Sequence, residues 1–228
     1  MLSASDAEVI ALSLRVATAS VVASLPLAIA TAWLLARRDF RGKTLLDAAV
    51  HLPLVVPPVV VGYVLLLAFG RNGPLGQLLA PLGISFVFRW TGAALAAAVM
   101  GFPLVVRAIR LSMEAIDPRL ESAGRTLGAG PWRVFFTVTL PLAWPGLATG
   151  ALLGFARALG EFGATITFVS NIPGETRTLP LAIYGATQVP GGDAEAMKLS
   201  IISVAISLAA LAGSEWLVRR RKAQREHA

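Results

Sequence analysis

The chain has 228 residues, of which 56% are hydrophobic and only 14% charged, with a mean hydropathy of +0.71. A domain of that size with so few charges cannot cover itself with a water-compatible surface, which excludes an ordinary soluble enzyme. There is no Cys, and the two His stand apart at 51 and 227, so disulfide, thiolate and clustered-imidazole chemistries are excluded too, and neither cofactor nor metal is expected.

In chain order, stretches free of Asp, Glu, Lys and Arg run over 16–36, 48–70, 90–106 and 134–156, and a further one over 199–218 is interrupted only by Glu215. Each approaches or reaches the roughly 20 helical residues that a hydrocarbon core of about 30 Å requires. The expectation is an all-α polytopic membrane protein with five transmembrane helices. The uncharged stretches 72–88 and 178–192 are rich in Gly and Pro and read as loops or surface helices.

The net charge of +7 comes from 20 Lys and Arg against 13 Asp and Glu. Fourteen of the 20 fall in three segments, 37–44, 107–133 and 219–225, alternating with loops that hold few. Cytoplasmic loops retain positive charge, so the amino terminus is expected outside and the carboxyl terminus inside. The same partition removes nucleic acid as a partner, because topology accounts for the basic patches. Asp6 and Glu8 precede the first apolar run while Arg37 and Arg38 follow it, so that run reads as a retained anchor and not a cleaved signal.

Segment 107–133 is longer than a connection between neighbouring helices needs. Asp117-Pro118 offers an N-cap followed by Pro at the first helical position, and Gly128 offers a stop, predicting a short helix with Ser122, Ala123 and Gly124 at its middle. Such a helix suits either a partner's groove or the bilayer surface.

Here the residues resemble a known family. ABC importer permeases carry Glu-Ala-Ala, three residues, Gly, nine residues, Ile, one residue and Leu-Pro; this chain has Ser122-Ala123-Gly124, then Gly128, Val138 and Leu140-Pro141 at that spacing. Ser122 stands at the motif's Glu, with Glu121 one place earlier, and Gly124 stands at its second Ala. The runs His51-Leu52-Pro53-Leu54-Val55-Val56-Pro57-Pro58 and Gly160-Glu161-Phe162-Gly163-Ala164-Thr165 onward are similar to molybdate ABC transporter permeases, a likeness extending over nearly the whole chain.

The resemblance implies one transmembrane domain over 1–228 with the type I ABC importer permease fold. Its spans would lie at about 13–36, 46–70, 90–111, 142–169 and 196–218, with a cytoplasmic ATPase-coupling loop at about 114–133. It implies a multi-pass inner-membrane homodimer that docks cytoplasmic ABC ATPase subunits through Glu121, Ser122, Ala123, Gly124, Gly128, Ala129, Leu140 and Pro141. A periplasmic or extracellular oxyanion-binding protein would deliver molybdate, or alternatively sulfate, thiosulfate or tungstate, to loops 71–89 and 171–194. The chain itself would be a transport subunit and not an enzyme.

Candidate path or gate residues are Pro57, Pro58, Arg157, Glu161, Thr165, Thr167 and Ser170. Two prolines inside a span free carbonyls and bend it, whether to line a path or only to kink it. Arg157 and Glu161, one turn apart, read as a gate or as a local ion pair. Gly146, Gly150 and Gly154 form a close-approach face, within the protomer or at a dimer seam.

Gly42-Lys43-Thr44 imitates the end of a phosphate-binding loop, but Arg37 occupies the position of its first Gly, so ATP hydrolysis belongs to another chain. An ion-coupled secondary carrier is the rival function, although no two-half repeat is visible.

Overall fold

The computed structural model describes residues 3–226, and every regular element among them is helical. Helix α1 (Ala4–Arg37) begins at a capping box: Asp6 N–H donates to Ser3 Oγ at 3.2 Å and Ser3 N–H to Asp6 Oδ2 at 2.8 Å. It therefore starts more than two turns ahead of the expected span at 13–36. Lys198 Nζ, 2.8 Å from Asp6 Oδ2, ties this end to the last helix, and with Ser3 it holds the Asp6 carboxyl down at about 2.

The second expected span, 46–70, is two half-helices, α2 (Lys43–Val55) and α3 (Pro58–Phe69), bent by 113°. Pro57 lacks an N–H and forces the residue before it out of the helical region; Val56 is accordingly extended at φ −74°, ψ 136°. A short helix, α4 (Pro74–Leu79), and one 3-10 turn (Ala80–Leu82) follow. Helix α5 (Trp90–Glu114) is the central pillar. Its buried face of Ala93, Ala94, Ala96, Ala97 and Met100, then Val105, Val106, Ile109 and Met113, packs between α1 and α8.

After α6 (Pro118–Thr126), α7 (Pro131–Leu142) contains a wider π-turn at Phe135–Thr139 and meets α8 (Trp144–Leu159) at 67°. The three glycines of α8 settle their alternatives in favour of packing within the protomer. A Cβ on Gly146 would overlap Ser112 Cβ, one on Gly150 would lie 3.0 Å from Val105 O, and one on Gly154 would lie 2.7 Å from Val105 Cγ2. The seam is α8 on α5.

The fourth expected span, 142–169, is not one helix. It breaks at Gly160, Glu161 and Phe162 and resumes as α9 (Gly163–Val169), because Glu161 Oε1 accepts the Ala164 N–H at 2.8 Å and caps a new start. Helices α10 (Leu179–Thr187) and α11 (Asp193–Glu226) complete the chain; of the basic tail at 219–225 only the backbone is described.

Among the described residues, α1 and α5 are each long and apolar enough to cross a membrane, and the pairs α2–α3 and α7–α8 are so as pairs. The core divides into two main clusters. One gathers Val16, Met100, Leu159 and Phe168; the other, nearer α6, gathers Leu35, Ile109, Met113, Phe135 and Leu147.

Candidate coupling loop and transport path

The loop helix α6 is built as its sequence predicts. Asp117 accepts the Arg119 N–H at 2.9 Å, Pro118 opens the first turn, and Gly128 sits at φ +84°. Gly128 N–H donates to Arg125 O at 2.9 Å and Ala129 N–H to Gly124 O at 3.1 Å, the paired bonds of a Schellman ending, which needs a left-handed residue at that point. Ser122 and Thr126 hydroxyls donate back to Pro118 O and Ser122 O at 3.1 and 3.0 Å. Their hydroxyls are thus spent on their own helix, and the small residues Ser122 and Ala123 stand on the outer surface alongside the exposed Arg119 and Arg125.

Ser122, Ala123 and Gly128 are exposed, while Gly124 and Ala129 are half-buried. Around them stand Leu120, Leu127 and Trp132, exposed by 50%, 89% and 71%. Leu120 belongs to α6, Leu127 follows its last turn and Trp132 lies in the first turn of α7, so the three form an exposed apolar patch around the helix.

Glu121 does not belong to that surface. It is 8% exposed and points inward, with Arg37 Nε donating to its Oε1 at 2.9 Å and Thr139 Oγ1 donating to the same oxygen at 2.8 Å. Leu140 packs against the cluster of Phe135 and Leu147, and Pro141 stands just ahead of the 67° bend, so these two shape α7 and its corner.

The path candidates divide as well. Pro57 and Pro58 are exposed at the break between α2 and α3, where Gly163 of α9 approaches closely: a Cβ on it would lie 2.8 Å from Pro58 Cβ. One turn along α3, a Cβ on Gly62 would come within 2.9 Å of Ala164 Cα. Two broken helices therefore cross backbone to backbone, and their breaks adjoin.

Arg157 and Glu161 form a local pair, Nη1 to Oε2 at 2.6 Å, an ion contact and not an aligned hydrogen bond. The carboxylate, its side chain 2% exposed, is committed on its other oxygen to Ala164. Thr165 is 2% exposed, and Thr167 donates to Gly163 O at 3.0 Å; neither hydroxyl lines an open wall as a free donor. Ser170 is exposed at φ +63°, its carbonyl accepting from Thr176 Oγ1 at 3.0 Å. The adjoining loop is held by Asn171, which donates to Leu181 O at 3.1 Å and accepts from Arg177 Nε at 3.0 Å.

Residues 24–223 match the sequence profile of the binding-protein-dependent transport system inner membrane component. The chain belongs to this family. It is 60% identical over 213 residues to the molybdenum transport system permease protein of Escherichia coli, covering 93% of each chain. Identity to that of Haemophilus influenzae is also 60%, over 92% of each chain. The sulfate transport system permease protein CysW of Synechococcus elongatus is 41% identical over 78% of this chain and 63% of its own.

Among solved structures, the bacterial ABC transporter that imports alginate superposes with a TM-score of 0.76 at 18% identity, over 96% of this chain and 80% of that one. The methionine ABC transporter in an inward-facing conformation superposes with 0.69 at 17%, over 93% and 92%. The fold is that of ABC importer permeases.

Within this permease fold, several residues that position the site escaped the sequence reading. Arg37 stands in the sequence as a topological charge and as the residue that breaks the phosphate-loop pattern, with nothing to pair it with Glu121, and Thr139 has no signal. Gly62 and Gly163 sit in apolar runs, where a glycine is the usual mark of close helix approach. Glu175, whose Oε1 accepts the Trp90 N–H at 3.3 Å at the start of α5, read only as part of a loop.

Proposed function

We propose that the chain is the permease subunit of an ATP-driven importer of a tetrahedral oxyanion, molybdate first. The observation that carries this is the 60% identity over 93% of the chain to a molybdenum transport permease, joined to a loop helix of the expected form. Five spans with the amino terminus outside, α2–α3 taken as one broken span, leave one protomer too thin to enclose a hydrophilic path, so two protomers pair about an axis. Each docks a separate ATPase subunit on α6, and a binding protein presents the anion at loops 71–89 and 171–194.

The protein performs no covalent chemistry. ATP binding at the partner favours one packing of the helices and nucleotide release the other, and the anion crosses because its affinity differs between them. With Thr165 buried and Thr167 engaged, the donors offered to a dianion are backbone amides near the two helix breaks and the Ser170 hydroxyl. A secondary carrier needs free coupling charges, whereas Arg157 and Glu161 are occupied with each other.

The test is uptake of labelled molybdate by vesicles holding the permease, its ATPase and its binding protein. Competition by tungstate and sulfate, dependence on ATP and two permease chains per particle by light scattering are expected. Competition by an amino acid or sugar in place of oxyanions, or uptake without the ATPase, would refute the proposal.

A further inference from the structure

The loop helix is joined covalently to α5 and α7, and the turns at both junctions are short. A third connection is not covalent. Glu121 Oε1 receives both the Arg37 Nε–H and the Thr139 hydroxyl, at 2.9 and 2.8 Å, while Arg37 Nη2 lies 3.4 Å from Ile116 O just ahead of α6. The three side chains belong to three elements: the last turn of α1, the loop helix and the π-turn of α7. Thr139 is 1% exposed, and the Arg37 side chain 14%.

A charged pair withdrawn from water at this contact distance is screened little, so it resists separation more than a surface pair does. Breaking it while leaving the carboxylate buried strands an uncompensated charge. Its location matters equally. Helix α1 packs along both α5 and α8, so whatever holds its end to α6 ties the loop helix to the whole bundle. The π-turn, which receives the other bond, stands in the segment leading to the 67° corner with α8, and π-turns are frequent at functional sites.

We infer that Glu121 is a positioning residue that makes the loop helix and the ends of α1 and α7 move as one body, transmitting a displacement of α6 into the transmembrane helices. The inference rests on the reading of α6 as the ATPase-docking element. It assigns Glu121 an internal role in place of the contact with the ATPase that its place beside the motif implies. Ser122, Ala123 and Gly128 keep the outer surface; Glu121 works behind it.

Two measurements test this on the assembled transporter in vesicles. Glu121→Gln keeps the shape and an acceptor for Thr139 but removes the charge that binds Arg37. The variant is expected to retain its ATPase, while molybdate moved per ATP hydrolysed falls about tenfold, within the range typical of coupling between sites. Thr139→Val, which removes one bond and leaves the ion pair, should show a smaller loss in the same ratio. Spin labels on Phe40→Cys and Arg119→Cys, in a chain with no native Cys, should keep one separation with and without ATP, and lose that constancy once Glu121→Gln is added.

Full coupling in both variants would overturn the inference, as would labels that shift alike in both backgrounds. Failure of Glu121→Gln to assemble, with Thr139→Val fully coupled, would make the carboxylate a folding element and overturn it too. Vesicles of the unaltered protein that take up neither molybdate nor tungstate nor sulfate would count against the substrate alone, because the label separation is read without any anion.

Discussion

Replacing Gly128 separates the turn from the docking surface. The residue holds φ +84°, and a Cβ built on it meets no atom within 4 Å. Space inside the protomer is therefore not the obstacle. Ala at this conformation costs about 1–2 kcal/mol from the clash of its Cβ with the following carbonyl, whereas Asn and Asp tolerate it because their short side chains bond locally. An Asp carboxylate at the C-terminal end of α6 adds up to about 1 kcal/mol of unfavourable dipole interaction.

None of these exhausts the roughly 5–15 kcal/mol by which a folded protein is stable, so each variant should insert and fold. At a closed interface the balance differs. An unpaired carboxylate losing its water costs about 3 kcal/mol, or roughly a hundredfold in affinity. Retention of the ATPase during purification, and the stimulation of its hydrolysis, should thus fall in the order Gly, Ala, Asn and Asp, with Asp abolishing both. Wild-type retention by Gly128→Asp would refute the docking surface, and a greater loss with Gly128→Ala than with Gly128→Asp would show that only the shape of the turn matters.

Cysteines placed at position 40 or 223 should react with an impermeant reagent only from the cytoplasmic side and one at 175 only from outside; labelling of 175 from the cytoplasm would overturn the topology. Gly62→Val places carbon against Ala164, where the Cβ alone comes within 2.9 Å of a backbone Cα, and should lower stability by at least about 2 kcal/mol in a thermal melt. Gly130→Ala, which meets nothing within 4 Å, should be near neutral. Asp6→Asn tests the tie to Lys198: the carboxyl is held at about 2 in the folded protein, below its usual value near 4, so its contribution is complete above about pH 4 and is lost as pH falls toward 2. The melting difference between variant and parent should be constant near neutrality and close over that acid window.

What the sequence disclosed was whatever local chemistry decides. Asp117, Pro118 and Gly128 bound α6 because a cap, a fixed φ and a left-handed turn each need a particular residue. Pro57 announced a bend, but its 113° depends on α9 lying across α3, which no local pattern records. The break at Gly160–Phe162 was hidden because the charge-free run already ends at Ala156 and no proline marks the place, so the span to 169 came from the resemblance alone; a glutamate capping the next helix makes the break. For Glu121, the spacing placed a carboxylate on a short helix without saying which way the helix faced, and its partner lies 84 positions earlier in the chain. Residue type likewise did not show that Thr165 is buried or that the Thr167 hydroxyl donates to its own helix.

Where α3 crosses α9, Gly62 lies against the Ala164 main chain and Gly163 against the Pro58 ring, leaving no flexible side chain between them to yield. Side chains at a helix contact act as bearings: they exchange rotamers and let one rod slide on another. At Gly62 there is none and at Gly163 only the rigid Pro58 ring, and a shift along either axis would drive Ala164 or Pro58 into the opposing backbone. The half-helices α3 and α9 are consequently held as one part between two non-helical links, the extended turn at Val56–Pro57 and the break at Gly160–Phe162. A displacement of either half-helix would therefore carry the other with it.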